Sequence, residues 1–425
     1  LQYNFQMENY KCKSVGVIGS GIQGVCIGLQ LIKKGIPVTI FDRHDPLSLE
    51  FKPASYGNAG HFSPYAVIQF NRPDALYDVP KMLFSSYGPL ALKWNYIPKM
   101  FNWFLHYLKN CNKKSMLHTA KNMHQILSLS IDAYEEIFQE IDTNGLVEKK
   151  GILYVWTNKN LKSRKLEIKV RNDLGIEQKL LSQKEVLELE PNLKPVFDAG
   201  VIYESAMHTR DPHGILKKIF KLFLDRGGKF TKGNVKSLEQ INVNETVIKT
   251  ESKTYKFEKT VVATGAFSKK LTDQLGENIP LDTERGYHVH FKNKDNLIKR
   301  PIIFLDRGFG LTPMNQGLRA VGTVELGGLK NPPSKKRIEY LINCSKELLP
   351  HLGQHEDEWL GFRPTLPDFL PIMGPSLKNK NIIYAFGHHH LGWTLGAVTG
   401  KIVSGIVAGE KTNLDLTPYS SKRFN

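Results

Sequence analysis

Val15-Gly16-Val17-Ile18-Gly19-Ser20-Gly21-Ile22-Gln23-Gly24 decides the fold, because a β-prone apolar run passes into three spaced glycines and then into apolar residues at helical intervals: Ile22, Val25, Cys26, Leu29 and Ile32. The segment reads as strand, tight turn and helix. Gly35 and Pro37 stop the helix, and Val38-Thr39-Ile40-Phe41 supplies a second strand ending at Asp42. That completes a βαβ unit of about thirty residues. Gly19 permits the turn, Gly21 lets backbone approach a pyrophosphate, and Gly24 lets helix and strand pack closely. The helix start offers unpaired N–H groups and a positive dipole end to phosphates. Asp42 can accept hydrogen bonds from both ribose hydroxyls and would repel a 2′-phosphate, which disfavours NADP and leaves NAD or FAD. Its other reading is a solvated residue opening a turn with Arg43 and Pro46.

Outward from this unit, residues 45–77 are rich in Pro, Gly, Ser and Asn, too long for an idle connection in a compact protein. Residues 81–110 are dense in Trp, Tyr, Phe and Lys, and apolar spacing over 115–140 predicts helix. Both are assigned to a second domain or its cover. Strands are expected at 151–156 and 200–203, and an amphipathic helix from Pro212 to Asp225 should stop at Gly227-Gly228. Runs at 229–238, 245–250 and 254–258 predict a meander leading into Thr260-Val261-Val262-Ala263-Thr264-Gly265. Strands at 287–291, 302–305 and 319–323, closed by a helix near 335–349, argue for an antiparallel sheet. A last buried strand at 381–386 and a small-residue helix at 394–407 return the chain to the first domain.

The 425 residues are enough for two domains or one with an insertion. Four dispersed cysteines, Cys12, Cys26, Cys111 and Cys344, form neither a C-x-x-C pair nor a disulfide framework, so a cytoplasmic setting is expected. Residues 1–13 lack the apolar core of a secretory signal, and no uncharged apolar stretch of about 18 residues occurs. The net charge of +17 is compatible with nucleic acid, an anionic membrane or a funnel for carboxylates. Its even spread and the lack of zinc-finger, RRM or KH patterns argue against nucleic acid.

In the last third, Arg363 sits in Gly361-Phe362-Arg363-Pro364, and a His-rich glycine turn follows at Gly387 to Gly396. An arginine beside proline is, on its own, more often a structural ion-pair partner. The rest of the chain changes that reading. The glycine fingerprint with Asp42-Arg43, the string Ser55-Tyr56-Gly57-Asn58-Ala59-Gly60-His61-Phe62-Ser63-Pro64, the Ala263-Thr264-Gly265-Ala266 turn, Gly361 to Pro364 and Gly387-His388 through Gly392-Trp393 together resemble the FAD-dependent D-amino-acid dehydrogenase and oxidase family, nearest the bacterial D-amino-acid dehydrogenase small subunit. The likeness runs in order from about Ser14 to Pro418.

The resemblance implies an α/β and α+β protein: a Rossmann-like FAD-binding domain with an inserted substrate domain on a mostly antiparallel sheet. The first is assigned 14–80, 182–280 and 351–425, the second 81–181 and 281–350. FAD is expected to contact Gly19, Ser20, Gly21, Ile22, Gln23, Gly24, Asp42 and Arg43. Ser55, Asn58, Ala59 and Gly60 would lie along the flavin, Val235 by the adenine, and Ala263, Thr264 and Gly265 near the pyrophosphate. Gly387, His388, Leu391, Gly392, Trp393 and Thr394 would form the turn beside the flavin pyrimidine, where N–H groups at a helix start stabilise negative charge on the reduced ring. Arg363 would bind the substrate carboxylate, its planar fork suiting a two-oxygen anion. His61 and His390 would flank the substrate, and Tyr287 is either a pocket residue or a packed strand tyrosine.

The implied reaction is oxidative deamination of a D-amino acid, with hydride passing from Cα to flavin N5 and the imino acid hydrolysing to keto acid and ammonia. Electrons would go to a quinone, another respiratory carrier or oxygen. A cyclic or secondary amino acid (D-hydroxyproline, proline, sarcosine or glycine) is the alternative substrate class; a non-catalytic basic protein binding membrane or nucleic acid is the alternative from another class. Consecutive His388, His389 and His390 cannot all converge on one ion, so no metal is expected. No G-x-S-x-G elbow supports a hydrolase. Residues 81–114 could lie on the inner face of an anionic membrane through Trp94, Phe101, Trp103 and Phe104. Two helices packed on the substrate domain is the reading preferred here.

Overall fold

The computed structural model describes residues 12–74, 88–158 and 161–424. A six-stranded sheet runs in the order Lys229–Lys232, Val38–Asp42, Val15–Ile18, Lys259–Val262, Ile382–Phe386, Ile372–Pro375. Its first five strands pair in parallel and the last antiparallel. Val15–Ile18 is buried throughout, as a strand covered on both faces must be. The helix Ile22–Lys33 packs on it as the glycine pattern requires. A Cβ on Gly24 would lie 1.8 Å from the Gly19 carbonyl oxygen, so only glycine brings helix and turn this close.

The expected run at 229–238 is two elements. Lys229–Lys232 joins the six-stranded sheet, Gly233 N–H donates to the Asp42 carbonyl at 2.8 Å, and Val235–Asn242 turns away into a three-stranded meander with Glu245–Thr250 and Thr254–Phe257.

A nine-stranded, mostly antiparallel sheet forms the second layer. It runs Asp357–Thr365, Asp282–Lys292, Gly317–Leu326, Phe309–Met314, Ile302–Phe304, Ile152–Trp156, Ala199–Tyr203 and Lys179–Ser182, with Leu90–Leu92 beside Gly317–Leu326. Two assignments therefore change. Ala199–Tyr203 and Asp357–Thr365, expected within the cofactor-binding segments 182–280 and 351–425, are members of this second sheet.

The helical stretch expected over 115–140 is two helices, Lys113–Leu127 and Ser130–Phe138, and they leave the second domain for the first. Met116, Met123, Ile126 and Tyr134 share a core with Ile22–Lys33 and Gly392–Ala408. Gly396 gives Tyr134 room, and the Tyr134 hydroxyl donates to the Trp393 carbonyl at 2.6 Å. The apolar helix Gly392–Ala408 is long enough to invite a membrane reading together with the preceding turn, but it is buried inside the protein.

Of the aromatic segment 81–114, residues 81–87 lie outside the described residues. The helix Ile97–Asn110 buries Met100, Trp103 and Tyr107 against Leu326 and Phe369. Trp103, a membrane contact only in the less favoured reading of this segment, is internal, its indole N–H donating to the Thr365 carbonyl at 3.1 Å. The other face of the helix leaves Phe101, Leu105 and Leu108 exposed.

Candidate functional site at the junction of the two sheets

A cavity of about 990 Å³ runs from the glycine turn to the second sheet, at the upper end of the roughly 300–1,000 Å³ usual for small-molecule sites. Its lining collects residues far apart in the chain. Gly19, Gly21, Ile22, Gln23, Asp42, Arg43, Ser55, Asn58, Ala59, Val235, Ala263, Thr264 and Gly265 lie along one stretch of it, and His388, Leu391, Gly392, Trp393, Thr394, His61, His390 and Arg363 also face it.

Ser20, Gly24, Gly60, Gly387 and Tyr287 do not line the cavity, although each was singled out from sequence. Four of them shape it from behind. Ser20 is fully buried, and both its N–H and its hydroxyl donate to Asp42 Oδ2 at 2.8 Å, which fixes the carboxylate at the strand end. Gly24 closes the turn as described. Gly60 and Gly387 hold φ of 74° and 85°, and a Cβ on either would strike Thr209 O or Leu366 Cδ1 at 2.4 Å. Tyr287 is corrected outright: it is buried in the second core, where its hydroxyl donates to Glu325 Oε2 at 2.9 Å and accepts from Ser334 N–H at 3.0 Å.

The nucleotide end fits a pyrophosphate. The helix Ile22–Lys33 has no acidic residue in its first turn; its Ile22 N–H donates to Ser55 Oγ at 3.2 Å, and the Asp42 carboxylate sits at the preceding turn on Ser20, leaving the positive helix end toward the cavity. A Cβ on Gly21 would meet only Ser55 Oγ at 3.7 Å, and one on Gly265 would meet nothing within 4 Å. Both backbones thus stand open to a ligand. The Arg43 guanidinium lies 4.7 Å from the Phe267 ring centroid, and both line this end.

The middle is stitched by Thr394, whose hydroxyl accepts from Ser63 N–H and donates to the His61 carbonyl, both at 3.1 Å. Gln23 Nε2 donates to the Gly392 carbonyl at 2.8 Å, tying the two glycine turns together. The Trp393 indole N–H and His389 Nε2 are buried with no partner among the described residues. Among the described residues, four non-glycine residues have positive φ, and of these Thr323, Phe369 and His389 all line this cavity. Strained backbone of this kind persists where surrounding structure fixes it, and it concentrates at functional sites.

At the second sheet, Arg363 reaches across Gly286, where a Cβ would lie 2.3 Å from Arg363 Nη2, and Nη1 donates to the Thr323 carbonyl at 3.0 Å. No carboxylate forms an ion pair with it among the described residues. His61 Nε2 shares a hydrogen bond of 2.7 Å with Thr312 Oγ1, and burial pushes its pKa down to about 3. His390 faces the cavity, and enclosure by the protein, then the charge of Arg363, push it down to about 3 as well. Both rings are neutral near pH 7. His388 turns away to Thr399 Oγ1 at 3.0 Å, whereas His389 Nδ1 and His390 Nδ1 share a hydrogen bond of 3.1 Å. The described residues contain no group of three His, Cys, Asp or Glu able to hold a metal.

Sequence reasoning missed Glu284 and the aromatic wall of Phe70, Trp103, Tyr107 and Phe369. It also missed a buried charge cluster in which Arg72, Arg164 and Arg171 surround Glu167. Glu284 carried one signal, a carboxylate two positions before Gly286 in a β-prone run, on the face that alternation gives to the cavity.

A mononucleotide-binding sheet, an inserted antiparallel sheet and a long cavity between them define a dinucleotide-dependent oxidoreductase. The chain belongs to the FAD dependent oxidoreductase family, whose model matches residues 14–406. It is 32% identical over 418 residues to a D-amino-acid oxidase of Bradyrhizobium diazoefficiens, covering 97% of this chain and 99% of the relative. It is 28% identical over 416 residues to a D-amino acid dehydrogenase of Vibrio atlanticus, covering 96% and 99%. In fold it is similar to glycine oxidase from Geobacillus kaustophilus, with a TM-score of 0.74 at 20% identity over 96% of this chain and 98% of that one. L-proline dehydrogenase from P. horikoshii gives 0.74 at 19% identity, with 97% and 98% covered. The chain is therefore an enzyme of this family and FAD is its cofactor, as the open Gly21 and Gly265 turns independently accommodate.

Proposed function

We propose that the protein oxidises the Cα–N bond of a D-amino acid, giving an imino acid that water converts to a keto acid and ammonia. The observation that carries this reading is Arg363, a guanidinium that faces the cavity with one internal acceptor and no ion pair among the described residues. A fork of donors so placed suits a carboxylate held by two parallel hydrogen bonds. FAD, when bound, supplies the two-electron acceptor for the Cα hydrogen. Asp42, Arg43 and the turns at Gly19–Gly21 and Ala263–Gly265 would hold its nucleotide half, and the Gly387–Thr394 turn with Ser55, Asn58 and Ala59 its ring. Neutral His61 and His390 would border the substrate without competing for its carboxylate. The names of the full-length relatives support the D configuration.

The test is anaerobic. Enzyme loaded with FAD is mixed with D-amino acids, their L enantiomers, sarcosine and proline, and the oxidised flavin absorbance is followed. Bleaching by D-amino acids is expected; if no amino acid bleaches the flavin, the reading fails.

We further propose a cytoplasmic enzyme that passes electrons to a respiratory carrier at the inner face of the membrane. Trp94 and Phe101 are each 62% exposed, next to exposed Leu105 and Leu108 and among Lys99, Lys109, Lys113 and Lys114. An apolar row within a basic field favours an anionic bilayer. Flotation with vesicles of anionic lipid should carry the wild type upward and leave a Trp94→Ser, Phe101→Ser variant behind; equal flotation of both would rule this row out as the contact.

A further inference from the structure

Glu284 stands directly opposite Arg363 across two paired strands, is 5% exposed, and faces the same cavity. Its carboxylate accepts no hydrogen bond and joins no close ion pair among the described residues; Arg363 acts on it only across space. The groups around it are few. Leu326 flanks it on the other neighbouring strand. Tyr107 approaches from the helix Ile97–Asn110 with its hydroxyl already given to the Phe70 carbonyl, and Arg72 lies beyond it. His389 and His390 face Arg363 from the C-terminal turn, both neutral.

A buried carboxylate without a partner is costly, and a cation delivered by a ligand removes that cost. Adjacent strands thus present one cation and one anion to the same space, the complement of a zwitterion. We propose that Glu284 receives the substrate ammonium and takes one proton from it, while Arg363 holds the carboxylate. The inference rests on the amino-acid reading above. In the step, one N–H bond breaks and one O–H bond forms: ammonium and carboxylate become neutral amine and carboxylic acid, and no electrons move. The nitrogen lone pair so released is what oxidation of the Cα–N bond needs. When product leaves, water takes the proton from Glu284.

Burial pushes the Glu284 carboxyl up to about 7, and Arg363 offsets this only in part. A base with that affinity is matched to neutral pH. Below about pH 7 it is already protonated and cannot accept, so kcat/KM for D-alanine should fall tenfold per pH unit there. In Glu284→Gln that break should vanish, the acid limb moving to the pKa of the free substrate amine, and kcat/KM at pH 7.5 should drop by about 10²-fold. Binding of propionate, a carboxylate without an amine, gives a readout independent of turnover through its effect on the flavin spectrum. The wild-type enzyme should bind it more weakly as pH rises from 6 to 8 and Glu284 becomes anionic, and Glu284→Gln should bind it equally at both. Retention of the wild-type break in Glu284→Gln overturns the proposal. So does wild-type propionate affinity that is flat from pH 6 to 8, a measurement that decides even where the variant fails to hold FAD. Flavin that no amino acid bleaches defeats the functional reading instead.

Discussion

Arg363→Ala is expected to lose about 10²- to 10³-fold in kcat/KM while retaining FAD, because among the described residues the side chain makes one hydrogen bond to the protein, at Thr323, and faces the cavity. Removing one partner of an enclosed, hydrogen-bonded charge pair costs roughly 2–5 kcal/mol, and each 1.4 kcal/mol or so is tenfold in rate. The strand that carries Arg363 belongs to the nine-stranded sheet, whereas the glycine turns belong to the six-stranded one. Flavin content, read from absorbance, should therefore stay near one per chain. Arg363→Lys should fall between, since it restores the charge without the planar fork. Wild-type kinetics in Arg363→Ala would remove the carboxylate role.

Much of the nucleotide end was legible because its signals are local. Gly19, Gly21, Gly24 and Asp42 act within one βαβ unit, and turn, helix start and strand end are each encoded within a few residues. Sheet membership is not local. Ala199–Tyr203 reads as a strand in any context, but pairing with Ile152–Trp156 rather than with the first sheet is set by distant chain. Tyr287 shows the same limit at the scale of one residue. Side chains alternate across a strand, so Glu284 and Gly286 face the cavity while Arg285 and Tyr287 face Glu325. Choosing Tyr287 picked the correct strand and the wrong face. Trp103 is the helical counterpart: composition alone left a membrane reading open for it beside the preferred packed one, and its place on the helix turns it inward beside Tyr107.

Lowering pH from 7.5 to 5.5 should destabilise the fold by a few kcal/mol, a noticeable share of the roughly 5–15 kcal/mol that holds a typical domain together. His208, His288, His388 and His389 are all buried. Burial pushes His208 down to about 4 and His388 to about 3, and lowers His288 and His389 well below the ordinary value. Unfolded, each titrates near 6.5. Between that value and the folded one, the unfolded chain binds protons that the folded protein does not, so stability is complete above 6.5 and is lost as pH falls through the window. At pH 5.5, below the unfolded value, each such histidine contributes on the order of 1 kcal/mol of this loss. Glu284 works in the opposite direction: its raised folded pKa lets the native state take up a proton first, returning part of the loss over the same interval. Carboxylates held low by arginine and lysine, such as Glu148 and Glu167, lose their contribution only below about 4.5 and do not enter. Denaturant unfolding of the FAD-free protein at the two pH values should show the fall, and His388→Gln should shrink it by roughly 1 kcal/mol, since glutamine keeps a donor for Thr399 but cannot take up the proton. Equal midpoints at pH 7.5 and 5.5 would mean that these imidazoles are not buried in neutral form.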